Sequence, residues 1–148
     1  MHKLFLALLF LSSSAMAASP FIGDWKGIGN RTDAGGVHNN CKFQIEFTNL
    51  ESDLEFKFIT HNCTNDDDLN GMDFFNYQLN GSNFIDMFGN SVGTLVGNSI
   101  NIKTGSIGAY FNIISIQLVN GNLIYSQEVS EPGRPKSNFK ASGNLVQN

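Results

Sequence analysis

Apolar and polar residues alternate along most of this chain, in runs separated by clusters of Gly, Asn, Asp and Ser. A period of two marks a strand with one buried face, because successive side chains of an extended chain point to opposite sides. The pattern predicts strands over Ile22–Asn30, Cys41–Thr48, Leu54–Thr60, Met72–Leu79, Asn83–Phe88, Gly93–Val96, Ile100–Lys103, Ala109–Val119, Leu123–Ser130 and Asn138–Val146. No long stretch carries the i, i+3, i+4, i+7 apolar spacing of an amphipathic helix. The expected fold is therefore all-β, a single antiparallel domain of about ten short strands.

Turn chemistry sets the register of two hairpins. Asn120-Gly121 suits a two-residue turn with left-handed backbone at both positions. Leu118 then faces Leu123, Ile116 faces Tyr125 and Ile114 faces Gln127, all on one plainly apolar side. A similar turn at Asn80-Gly81 would set Tyr77 opposite Phe84 and Phe74 opposite Met87. A third hairpin joins Cys41–Thr48 to Leu54–Thr60, with Cys41 and Cys63 at its open end. Matching the apolar faces there pairs Phe47 with Phe58, one residue out of step with a direct Cys41–Cys63 pair. That mismatch predicts a bulge or strand end near Ile59–Asn62.

Composition sharpens this picture. The chain has 15 glycines and 19 asparagines, which supply turns, and 13 phenylalanines, which suit a pleated, half-buried surface. Met1–Ala17 reads as a secretory signal peptide: His2 and Lys3, the apolar run Leu4–Leu11, then Ala15-Met16-Ala17 as the small-x-small cleavage pattern. The remaining 131 residues, 18–148, suffice for one domain. No apolar run is long enough to span a bilayer as a helix, so no stable membrane anchor is expected. Without Lys3, 8 basic groups face 13 acidic ones, a balance that argues against a nucleic-acid partner. In an exported chain, the isolated pair Cys41 and Cys63 is expected to form a structural disulfide closing a 23-residue loop.

Catalytic signals are sparse. His38 and His61 are the histidines left after the signal segment. No nucleophile elbow, zinc-protease helix or phosphate loop occurs, and Glu46, Glu55, Asp86 and Glu128 lie scattered along strands. No catalytic residue is assigned. Asp66, Asp68 and Asn70, followed by Gly71, match the first half of an oxygen-ligand calcium loop, so Ca2+ is the one cofactor the residues raise. The second half departs from it, with Asp73 at the eighth position and Tyr77 in place of the bidentate Glu at the twelfth; an acidic turn is the favoured reading. The aromatic load of Phe43, Phe47, Phe56, Phe58, Phe74, Phe75, Phe84 and Phe88 either fills a solid core or lines a cavity.

The first predicted strand carries Gly23-Asp24-Trp25-Lys26-Gly27-Ile28-Gly29, with glycines in phase that let a strand bend or another segment approach closely. This segment resembles the opening of the lipocalin-like (calycin) barrels and is similar to that of the nitrobindin-type barrels. The resemblance implies a closed up-and-down β-barrel of about 8–10 strands, with Trp25 plugging one end and a small apolar ligand inside. It also implies an arginine stacked on the tryptophan, for which Arg134 is the late candidate. Nitrobindin-type barrels hold haem through a late histidine; no histidine follows His61, so haem is not expected. The function expected is a non-catalytic binding module for a small hydrophobic ligand, contacted by Trp25, Phe43, Phe47, Phe58 and Tyr125. The alternative is a protein-interaction module, such as an inhibitor of an exported enzyme, acting through the loops Asn30–Asn40 and Glu131–Ser137.

Overall fold

The computed structural model describes residues 18–50, 53–63 and 71–148. The signal segment Met1–Ala17 and the calcium-loop candidates Asp66, Asp68 and Asn70 lie outside the described residues. Ten strands follow one another: β1 Gly23–Asp33, β2 Gly36–Leu50, β3 Asp53–Asn62, β4 Gly71–Asn80, β5 Asn83–Ile85, β6 Ser91–Val96, β7 Ser99–Gly105, β8 Phe111–Val119, β9 Asn122–Ser130 and β10 Phe139–Gln147. Each pairs antiparallel with the next, and β10 pairs with β1, which closes an up-and-down barrel. The all-β, closed-barrel expectation holds. Closure removes the unpaired strand edges an open sheet would expose.

Glycine is what lets the closing seam form. A Cβ built on Gly27 would stand 2.0 Å from the Asn144 carbonyl oxygen, and one on Gly29 would stand 1.9 Å from that of Ser142. Both neighbours belong to β10, so β1 and β10 approach more closely there than any side chain permits.

The Asn120-Gly121 hairpin has the expected register, with Leu118 opposite Leu123, Ile116 opposite Tyr125 and Ile114 opposite Gln127; both turn residues have positive φ. The other two registers differ from expectation. The β4–β5 turn is centred on Gly81-Ser82, so Leu79, not Tyr77, faces Phe84, while Tyr77 faces Phe56 of β3. Met87 lies in the following turn and is exposed, so it makes no pair with Phe74. In the β2–β3 hairpin the disulfide Cys41–Cys63 is present, with Cα atoms 4.1 Å apart. The cysteine register runs directly through Lys42–Asn62 to Glu46–Phe58; the irregularity comes later, where Lys57 is the extra residue and Phe47 meets Phe56. Because side chains alternate, this bulge turns Phe58 to the outer face, opposite Glu46 and 6.2 Å from the Phe74 ring. Sequence pattern alone places two phenylalanines on one face, but the covalent bridge fixes the register at its own end and the slack moves down the hairpin.

The barrel's two ends differ. At one, Trp25 is buried, and its indole N–H donates to the Phe21 carbonyl at 2.8 Å. Phe21, Phe47, Phe56, Leu123 and Leu145 pack into the same core. The opposite end is formed by the Ala34-Gly35 turn, the segment 106–110 and the segment 131–138. The expected loop Asn30–Asn40 is therefore mostly strand: β1 and β2 continue through it to a tight turn.

Candidate functional site

Five inward-facing columns change character as they approach this second end. Ile116 and Ile114 of β8 give way to Asn112; Leu123 and Tyr125 of β9 give way to Gln127; Ile59 of β3 gives way to His61; Tyr77 and Phe75 of β4 give way to Asp73; and Trp25 of β1 gives way, past two glycines, to Arg31. Alternation keeps every one of these residues on the inside, so polar groups meet where each strand ends. Arg31, His61, Asn112 and Gln127 are all buried. Burying such groups is costly unless they are hydrogen-bonded to one another.

They are. Tyr125 Oη donates to Gln127 Oε1 and lies 3.2 Å from His61 Nε2, an arrangement that fits a proton on Nε2 of His61. Gln127 Nε2 in turn donates to Asn112 Oδ1 at 2.9 Å and, at 3.4 Å, to Asp73 Oδ2. The result is a directional chain from the histidine to the carboxylate. Arg31 closes the far side: its Nε lies 3.3 Å from Asp33 Oδ2, and its guanidinium sits 4.4 Å above the Phe139 ring. Asp33 also accepts from the Gly35 N–H at 2.9 Å and meets His38 Nε2 at 3.2 Å.

The electrostatics follow from burial. Desolvation, helped by the nearby Arg31 charge and opposed by the bond to Gln127, lowers His61 to about 4, so the ring is neutral near pH 7. Burial raises Asp73, against the pull of Gln127 and Arg31, and raises the Tyr125 phenol well above its ordinary range. Burial also acts to raise Asp33, but the Gly35 N–H, His38 and Arg31 outweigh it and hold that carboxyl low. A neutral histidine bonded to a phenol is a poor general base: it titrates far from neutrality, and its Nε2 faces Tyr125, not a carboxylate.

Above this floor lies a cleft of about 550 Å3. Phe75, Tyr77, Tyr110 and Phe139 supply aromatic surface, and Arg31, His61, Asp73, Asn112, Glu131, Lys136 and Ser137 its polar and charged surface. The barrel wall beside it is thin at β4. β5 has three residues and reaches only Gln78–Asn80 of β4, so Gly71–Tyr77 of β4 have no strand partner on that side among the described residues.

Of the ligand residues expected from sequence, Trp25, Phe43, Phe47 and Tyr125 are buried inside the barrel and Phe58 faces outward. None of them lines this cleft, although the Tyr125 hydroxyl reaches the polar chain beneath it. Arg134 does not approach Trp25: it belongs to the opposite end, largely exposed, with its Nη1 3.2 Å from Glu131 Oε1. Sequence reasoning missed Arg31, Asp73, Asn112 and Gln127. The signal was available for Gln127, which falls in the apolar phase of the β8–β9 hairpin where a solvent-facing residue has no place.

No protein-family model matches the chain, and no curated protein matches it. Among solved structures it is similar to a single-substitution mutant of the fluorescent protein UnaG, at 15% sequence identity and a TM-score of 0.47; the match covers 87% of this chain and 96% of that one.

Proposed function

We propose that the chain is a non-catalytic binding module, exported from the cell, that holds a small ligand with substantial apolar surface in the cleft at the polar end of its lipocalin-like barrel. The observation that carries this reading is the cleft itself. Its volume, about 550 Å3, is in the range of small-molecule sites, and it sets aromatic walls beside an extensive set of polar and charged groups. The side chains around Trp25 pack into one buried core, which supports the cleft over that half of the barrel as the ligand's place. Export is supported by the pattern of Met1–Ala17 and by the Cys41–Cys63 disulfide, which suits an oxidising compartment.

A neutral aromatic fluorophore, N-phenyl-1-naphthylamine, tests the reading. It should give saturable, one-to-one fluorescence enhancement at micromolar concentration. Gly71 lines the cleft, and a Cβ there would meet open space, so Gly71→Trp can place an indole in the site without backbone strain. That variant should lose the enhancement while keeping its fold. Absence of saturable binding, or equal binding by Gly71→Trp, overturns the proposal.

A further inference from the structure

The charged groups of the cleft are not balanced alike, and the difference bears on what it binds. Arg31 has Asp33 at 3.3 Å, Glu131 has Arg134 at 3.2 Å, and Lys136 is also engaged. Asp73 has no cation in ion-pair contact among the described residues; its one hydrogen bond is the long one from Gln127, to Oδ2, which leaves Oδ1 without a donor. The groups around it are His61 from β3, Asn112 from β8, Gln127 from β9 and Arg31 from β1. Of these only Arg31 carries charge near pH 7, and the Asp33 carboxylate beside it offsets that charge.

Asp73 also stands in an aromatic row. Asp73, Phe75 and Tyr77 share the inner face of β4, successive members roughly 7 Å apart along a strand. The Phe75 and Tyr77 rings are 5.3 Å apart, and Tyr110 lines the same cleft. Aromatic faces attract cations within about 6 Å of the ring centre, most strongly where water is excluded. A carboxylate at one end of such a row supplies the counter-charge.

Building on the proposed binding function, we propose that the cleft selects an organic cation, an aromatic or alkyl amine whose ammonium group pairs with Asp73 while its apolar part lies along Phe75, Tyr77 and Tyr110. An anionic ligand would instead face the Asp73 carboxylate, and would have to compete with Asp33 for Arg31 and with the existing partner of Lys136.

Three probes that share one ring but differ in charge decide the matter: tryptamine, neutral indole-3-ethanol and anionic indole-3-acetate, measured by calorimetry at neutral pH. Tryptamine should bind about tenfold or more tighter than indole-3-ethanol, and indole-3-acetate weakest. Asp73→Asn should erase the preference for tryptamine, so that tryptamine and indole-3-ethanol bind the variant within about twofold of each other. The order of the probes on the unaltered protein is informative whether or not the variant folds. Equal binding of all three, preference for the anion, or a cation preference that survives Asp73→Asn overturns this inference. Binding of N-phenyl-1-naphthylamine without tryptamine overturns the cation inference alone; failure of every probe overturns the binding function as well.

Discussion

His61 should make the barrel acid-sensitive over a defined range of pH. In the unfolded chain its imidazole titrates near 6.5, whereas burial and Arg31 lower it to about 4 in the folded protein. Between those values the unfolded state binds more protons than the folded one, so stability is lost as pH falls through the window and is intact above it. At about 1.4 kcal/mol per decade, going from pH 7 to pH 4.5 removes roughly 2 kcal/mol through this one group. Asp73 acts in the opposite sense, because its raised carboxyl takes up its proton at a higher pH in the folded state than in the unfolded chain. The His61 contribution is therefore isolated by comparison with His61→Phe, whose ring can keep the contacts with Phe43 and Phe139, 5.3 and 5.1 Å away. Urea unfolding of both proteins at intervals between pH 4.5 and pH 7, with the disulfide intact, should give a profile that is flatter for the variant by roughly 2 kcal/mol over the range. Parallel profiles would refute the reasoning, since they would mean that the folded histidine takes up its proton as readily as the unfolded one.

Three further outcomes rest on other parts of the fold. Gly29→Ala should destabilise by about 2 kcal/mol or more in urea, because its Cβ would fall 1.9 Å from a β10 carbonyl oxygen and 2.7 Å from the Phe43 ring; an effect below about 0.5 kcal/mol would show that the seam can open. Reducing Cys41–Cys63, which joins residues 22 apart in sequence, should cost about 3 kcal/mol, read as the difference in unfolding free energy with and without a thiol reductant. Trp25→Phe should cost about 2–4 kcal/mol in thermal or urea unfolding, as it removes the donor to the buried Phe21 carbonyl and leaves a void; the cost should be independent of ligand, because Trp25 belongs to the closed end.

The local pattern was enough for the strands, while their closure into a barrel was what the resemblance of the first strand implied. Alternation names ten strands, and turn chemistry at Asn120-Gly121 sets a register that the barrel keeps. The glycines of the first strand mark the seam where β10 comes closest. These features depend on neighbours in sequence or on the absence of a side chain, and both can be read from residue types. The cleft is different. Arg31, His61, Asp73, Asn112 and Gln127 come from five strands, and each taken alone is an ordinary polar residue near a strand end. Only closure of the barrel turns those ends toward one another, and only the disulfide-fixed register with its bulge at Lys57 sends Phe58 out while keeping His61 in. Alternation can say that a residue lies on the apolar side of its strand, but not which polar residues on other strands stand at the same height, because that depends on stagger summed around the whole ring.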